Sequence, residues 1–315
     1  MNTVELSALD GTNPQAWLAA LGLFVTLEAT RTPSEPPIRL GWRYRGRWLP
    51  FVVTDLDETA VIARVRRDLE AVVRDPAFIG LRYAKGGKGP IQRDLKPPPG
   101  FFSGYLCGLI NVGASTASLR LAASFATDVA VDGKGNTKPT ALHFTAGQQQ
   151  FMAIADELAA KLDDDDVHRA LFTGWTYERA TKTFGWDASS YRDYALRADD
   201  PGSARKGTVP GADWLALRGV SLLACAPHGT SILTPLCHGS GNSITMRWPL
   251  WEHPLLEPEI TSLISLAEMA SLSPFQRRSR GITVVLESAV VRSDQGYGSF
   301  APPSMVQLRK PICTT

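Results

Sequence analysis

The amino-acid sequence predicts an α+β fold, and three patterns near its start indicate this class. Val4–Leu9 alternates apolar and polar residues, which is the period of a half-buried strand. Asn13 or Thr12 can cap a helix that begins at Pro14. Proline suits this first position because an N–H there would have no hydrogen-bond partner within the helix. Two apolar segments then flank Arg45–Arg47, a short hairpin turn. Strands and helices therefore mix from the beginning of the chain.

The first predicted helix is apolar along one face that is wide enough to lie on a sheet. Its apolar residues recur at three- and four-residue steps: Trp17, Leu18, Leu21, Phe24 and Val25. Gly22 interrupts this face in the middle of the helix, where glycine costs about 1 kcal/mol relative to alanine. We therefore expect another backbone to pack closely against Gly22.

Two strands and a second helix follow. The strands are predicted over Ile38–Arg43 and Trp48–Val53, and Pro50 places the second of them at a sheet edge because proline cannot donate a ladder hydrogen bond. The helix begins near residue 57 and takes Thr54 or Asp55 as its cap. The order strand-helix-strand-strand-helix is most of a ferredoxin-like unit, a scaffold that also serves many RNA-binding modules.

The chain divides into a ferredoxin-like unit over residues 1–100 and a mixed helical and β region over residues 101–315 that packs on it. Leu81–Gly100, rich in Gly, Pro and basic residues, predicts a mobile loop at the boundary. Helices over Phe101–Thr127 break near Gly113, and a hairpin turn is expected at Asp132–Asn136. The remaining predicted elements are helices over 145–162, 164–172, 211–219 and 257–270 and strands over 231–236, 243–250 and 282–291.

Composition indicates a folded cytoplasmic protein. The 315 residues are 44% hydrophobic, enough for a full core, and carry a net charge of +2. The charge is uneven, because residues 38–100 hold thirteen Lys and Arg against seven Asp and Glu, which suits a polyanionic partner. The four cysteines lie far apart, which predicts reduced thiols. No apolar run reaches the roughly 20 residues that a membrane span needs.

The sequence predicts no bound metal or organic cofactor. Cys225, His228, Cys237 and His238 have metal-ligand side chains, but their spacing fits none of the common zinc patterns. The acidic run Asp163–Asp166 is better suited to capping a helix, since four consecutive carboxylates cannot converge on one ion. The glycines near Lys85 lack the spacing of a phosphate-binding P-loop. Binding is therefore expected rather than catalysis.

Several loops combine Arg or Lys with glycine or aromatic residues, a composition that favours contact with nucleic-acid phosphates. Each such contact adds a salt-sensitive attraction that does not depend on base sequence. The candidate nucleic-acid-binding residues are Arg43, Arg45, Lys85, Lys88, Arg93, Lys96, Lys134, Lys138, Arg205, Lys206, Arg277, Arg278 and Arg280.

Phrases spread over nearly the whole chain resemble one family. They are Gly11–Pro14, Leu18–Gly22, Asp94–Pro98, Gly133–Gln150, Val209–Ala216, Trp248–Trp251 and Ser293–Gly298. Together they resemble the large-subunit-like or accessory proteins of type I-U (I-G) CRISPR effector complexes. The resemblance implies a non-catalytic subunit that docks on other effector subunits and guide RNA. It also implies contact with target-flanking DNA or the displaced strand, because base pairing reads the target itself in such complexes.

Two alternatives stay open. A metal-independent endoribonuclease could process CRISPR guide RNA on a ferredoxin-like scaffold, with His143 or His168 as general acid or base. A purely structural subunit would contact protein alone, and it would show no salt-dependent binding to nucleic acid.

Overall fold

The computed structural model describes residues 2–190, 207–241, 243–266 and 269–306, and it confirms the α+β class. Its α-helices are α1 (Pro14–Thr30), α2 (Glu58–Val72), α3 (Pro76–Ile79), α4 (Phe101–Asn111), α5 (Thr116–Phe125), α6 (Phe151–Lys161), α7 (Asp164–His168), α8 (Pro210–Val220), α9 (Glu257–Ile264) and α10 (Pro274–Ser279). Its strands are β1 (Asn2–Glu5), β2 (Arg39–Tyr44), β3 (Trp48–Thr54), β4 (Tyr83–Ala84), β5 (Ile91–Gln92), β6 (Ala126–Val131), β7 (Thr137–Pro139), β8 (Ala226–His228), β9 (Ser231–Leu233), β10 (Cys237–His238), β11 (Thr245–Leu250), β12 (Val284–Arg292), β13 (Gly298–Phe300) and β14 (Ser304–Met305).

The first sheet is antiparallel with strand order β1-β3-β2, so β3 is central. The prediction that Pro50 marks a sheet edge is therefore wrong. Pro50 lies one residue beyond the last β1 pair, Glu5 with Phe51, and its carbonyl accepts a hydrogen bond from the Leu6 amide. Because the N–H and C=O of one residue in an antiparallel strand point to the same side, its missing N–H removes no bond to β2.

Helix α1 is buried on nearly all sides and packs against α8. The two backbones touch at a pair of glycines, as the prediction for Gly22 required. A Cβ on Gly22 would lie 1.6 Å from the carbonyl oxygen of Leu215, and a Cβ on Gly219 would lie 2.1 Å from that of Leu18. Any side chain at either position would collide with main-chain atoms, so this crossing requires glycine on both helices.

Helix starts agree only partly with the predictions. Asn13 caps α1 by accepting from the Gln15 amide at 2.9 Å, as expected. Helix α2 is capped by Asp57 instead of Thr54 or Asp55. Helix α6 starts at residue 151 because the preceding turn contains Gly147 with a positive φ, and the predicted start at residues 145–146 is wrong.

The second sheet has the order β10-β11-β12-β13, and β14 also pairs with β12. Indole N–H groups tie it to the first layer: Trp17 on α1 donates to the Pro249 carbonyl at 3.0 Å, and Trp248 donates to that of Gly11 at 2.9 Å. One apolar core extends from β1 to β13. Within the described ranges, no helix is long and apolar enough to cross a bilayer.

Candidate nucleic-acid interface

Arg93 is not a surface residue, which corrects its place among the predicted phosphate contacts. The residue is 7% exposed, and Nε and Nη2 donate to the two carboxylate oxygens of Asp156 at 2.8 and 2.5 Å. Nη1 donates to the carbonyls of Phe78 and Leu81. This arginine joins the loop to α3 and α6, so the middle of residues 81–100 is part of the core instead of a mobile segment.

Asp94 and His143 hold the same loop from the other side. Nε2 of His143 lies 2.8 Å from Oδ1 of Asp94 and 2.9 Å from Oγ1 of Thr145, and the Phe151 amide also donates to Asp94. Burial would raise the pKa of Asp94, but the hydrogen bond with His143 and those from the Phe151 and Leu95 amides together outweigh it and lower that pKa. His143 is only 3% exposed, so the structure argues against its use as an acid or base on RNA.

Two basic loops that are far apart in the sequence meet beside this buried network. The Thr137 amide of the β6–β7 hairpin donates to the Pro97 carbonyl at 3.1 Å, and a Cβ on Gly135 would lie 3.0 Å from Cγ of Pro99. The end of the first loop, at Pro97 and Pro99, therefore lies directly against the hairpin. We call the lysines of these two loops the lysine surface: Lys85, Lys88, Lys96, Lys134 and Lys138.

The lysine surface carries uncompensated positive charge. Lys138 donates to the Thr230 carbonyl at 2.6 Å, and none of the five lysines lies within 4.0 Å of a carboxylate of the described residues. Two acids are equally near in the sequence, Asp94 before Lys96 and Asp132 before Lys134. Asp132 accepts hydrogen bonds from Asn136 and from the Lys134 amide, and these lower its pKa. The two carboxylates offset two of the five charges, and the surface keeps a net positive field that attracts phosphate.

Arg43 and Arg45 lie elsewhere, at the turn between β2 and β3. Both reach toward Glu5, with Nη1 atoms 3.8 and 3.7 Å from its Oε2, and the Arg43 guanidinium stacks on the Phe51 ring 4.8 Å away. These partners neutralise part of their charge. The two arginines are a separate basic site from the lysine surface.

The third group of predicted contacts, on and just after α10, contains both buried and exposed arginines. Arg277 is 8% exposed and donates to the Ala270 carbonyl at 3.0 Å, so the prediction that it contacts phosphate is wrong. Arg278 and Arg280 are exposed. Two further predicted contacts lie outside the described residues: Arg205 and Lys206.

The acidic run serves as a helix cap, as predicted. Asp163 accepts from the Asp166 amide at 2.7 Å, and the Asp166 side chain accepts in return from the Asp163 amide. His168 follows on α7, and its Nδ1 lies 3.0 Å from Oγ1 of Thr173. In the part of the chain that the structure describes, no three His, Cys, Asp or Glu side chains come together as a metal site requires.

A buried carboxylate that the sequence did not reveal lies on α8. Asp213 is 1% exposed, and its Oδ1 accepts hydrogen bonds from Oγ1 of Thr183 and from the Phe184 amide at 2.8 and 3.3 Å. Burial raises the pKa of Asp213 to about 7 against the hydrogen bonds of Thr183 and Phe184, and the Asp187 carboxylate adds to the rise. Its partners lie about thirty residues away, so no local motif could predict them.

Stability is expected to fall as pH rises from 5 to 8 because of Asp213. The pKa of Asp213 is higher in the folded chain than in the unfolded chain, so protonation of this carboxyl group stabilises the fold. The stabilisation is complete below about pH 4, the usual aspartate pKa, and is lost as the pH rises through 7. An Asp213→Asn variant, which cannot ionise, should lack this fall, whose slope reaches at most about 1.4 kcal/mol per pH unit. Urea unfolding at several pH values measures it, with Asp132→Asn as an exposed control. A constant difference between wild type and Asp213→Asn from pH 5 to 8 would contradict the prediction.

A cavity of about 360 Å³ opens between α1, α2, α5 and α8, away from the lysine surface. Its charged lining groups are two of each sign: Arg67, Arg218, Asp68 and Asp75. Because these charges balance, the cavity does not extend the basic surface.

Compared with known protein families and curated proteins, the chain matches no family model and shows no significant match to a curated sequence.

Proposed function

We propose that this chain is a non-catalytic nucleic-acid-binding subunit of an RNA-guided CRISPR interference complex, whose lysine surface contacts target-flanking DNA or the displaced strand. One observation carries the proposal: the contacts of Thr137 with Pro97 and of Gly135 with Pro99 bring two basic loops together. Lysines that form no ion pair with a carboxylate of the described residues suit a phosphate backbone, because each contact releases a counterion. The RNA-guided setting comes from the family resemblance.

Removing lysines from this surface is expected to weaken nucleic-acid binding and its salt dependence together. A Lys134→Ala/Lys138→Ala variant and a Lys85→Ala/Lys88→Ala/Lys96→Ala variant should each flatten the slope of log affinity against log salt. The expected change is roughly 0.7 to 0.9 for every lysine removed, with the lower value for single strands. Fluorescence anisotropy with labelled duplex and single-stranded DNA over a range of salt concentrations measures this. Arg93 stays unchanged in both variants because it is buried.

The matched control is Lys161→Ala/Lys182→Ala, which removes the same charge as the hairpin variant. Both control lysines pair with Glu157, at 2.8 and 3.2 Å. All variants should keep the parent's thermal midpoint within a few degrees, since surface changes usually alter stability by under about 0.5 kcal/mol each. If the parent binds no DNA or RNA in a salt-dependent way, the proposal is wrong and the subunit that touches protein alone is favoured. If only the control weakens binding, the lysine surface is not the site.

We also propose that β1, β2, β3, α1 and α2 are an incomplete ferredoxin-like unit. In such a unit α1 connects two strands that flank a third, and the order β1-β3-β2 with all neighbours antiparallel supports this arrangement. A complete unit has a fourth strand on the other edge of β1, where no described strand pairs. Coexpression with its neighbouring gene products, followed by purification, tests whether the unit docks on effector subunits with guide RNA.

A further inference from the structure

Helix α10 directs one aromatic side chain into solvent. The helix is held by reciprocal hydrogen bonds between Ser273 and Gln276, and Arg277 turns inward to donate to the Ala270 carbonyl. Phe275 lies two positions before Arg277 and so faces the opposite way. Its side chain is 73% exposed, more than any other large apolar side chain in the described residues.

Arg278 shares that outward face, because residues three apart on a helix are neighbours. Arg280 follows at the end of the helix, with Nη1 donating to the Gln276 carbonyl at 3.2 Å. Neither arginine forms an ion pair with a carboxylate of the described ranges, unlike Arg43 and Arg45 beside Glu5. From Glu268 to Glu287 the intervening sequence holds three arginines and no acidic residue. An exposed ring therefore lies beside two exposed arginines that have no ion-pair partner among the described residues.

We propose that Phe275 stacks on a base of a single-stranded nucleic acid while Arg278 and Arg280 hold the flanking phosphates. The inference rests on the proposed function and deepens it by naming a single strand as the ligand of α10. A duplex keeps its base faces stacked inside, whereas a single strand offers them to an aromatic ring, and every base has such a face. Stacking would give this surface what the lysine surface lacks, a preference for unpaired strands.

The test compares two single strands of equal length and charge, oligo-dT and the same strand with abasic sites. Phe275→Ala should weaken binding of oligo-dT by roughly 5- to 100-fold and leave binding of the abasic strand unchanged. Phe275→Trp, which keeps a ring, should retain the affinity for oligo-dT. Arg278→Ala/Arg280→Ala should weaken both strands and flatten the salt slope by about 0.7 per arginine. Fluorescence anisotropy measures all four proteins.

The outcomes separate this inference from the proposed function. If the parent binds DNA but Phe275→Ala binds oligo-dT and the abasic strand as the parent does, the stacking site is wrong and the proposed function stands. If the parent binds no nucleic acid, both are overturned. Loss of a copurifying effector subunit from Phe275→Ala, with unchanged affinity for both strands, would make this ring a protein contact and overturn the inference.

Discussion

Replacing Gly22 with alanine is expected to lower the free energy of unfolding by about 4 kcal/mol or more, which places it among the largest effects of a single methyl group. The added Cβ would lie 1.6 Å from the carbonyl oxygen of Leu215 and 2.9 Å from the Gly219 amide nitrogen. These are main-chain atoms of a buried helix, so no side chain can rotate away, and α1 and α8 must separate. Gly219→Ala should behave alike, because its Cβ meets the Leu18 carbonyl oxygen at 2.1 Å.

Gly108→Ala is the matched control for this change. Gly108 is also inside a helix, α4, but a Cβ there meets nothing within 4 Å. Alanine is the better helix former by about 1 kcal/mol, so this variant should be equally or more stable than the parent. Urea unfolding followed by circular dichroism measures all three variants. If Gly22→Ala unfolds at the same urea concentration as the parent, the α1–α8 contact is looser than the structure has it.

The sequence predicted those features that depend on local chemistry. Asn13 before Pro14 was enough to place the start of α1, and the turn at Asp132–Asn136 formed where glycine and asparagine allow it. Gly22 also gave a correct prediction of packing, because a mid-helix glycine has a cost that a close contact offsets. The partner at that contact, Gly219, could not be named, since nothing in the sequence of α1 encodes which helix crosses it.

Errors arose where distant partners decide the environment. Arg93 looked like a loop cation because its neighbours are glycine, proline and lysine, but Asp156, 63 residues later, buries it in an ion pair. Pro50 looked like an edge residue because proline cannot donate a ladder hydrogen bond. In the structure β1 ends at Glu5, opposite Phe51, so no bond from residue 50 is needed, and the sequence around Pro50 does not show where β1 ends. For the lysine surface, the sequence supplied the lysines and the fold supplied the contact of Thr137 with Pro97 that brings their loops together.

The buried pair of Asp68 and Arg218 connects three helices and shows the same dependence on distant residues. Nε and Nη2 of Arg218 on α8 donate to the carboxylate of Asp68 on α2, at 2.7 and 3.0 Å. Thr26 on α1 donates to the same carboxylate at 3.0 Å. Both charged side chains are almost completely buried, so each depends on the other for its solvation.

Arg218→Met alone and Asp68→Leu alone are each expected to lower the free energy of unfolding by about 3 to 5 kcal/mol, because each leaves one buried charge without a partner. The double variant, with neither charge, should be destabilised by much less than the sum, and the double-mutant cycle in urea gives the coupling energy. Arg66→Met is the control, since Arg66 on the same helix α2 also donates two hydrogen bonds to an aspartate, Asp164, but at the surface. It should cost at most about 1 kcal/mol. Additive losses in the double variant would mean that the cavity beside Arg218 admits enough water to solvate each charge alone.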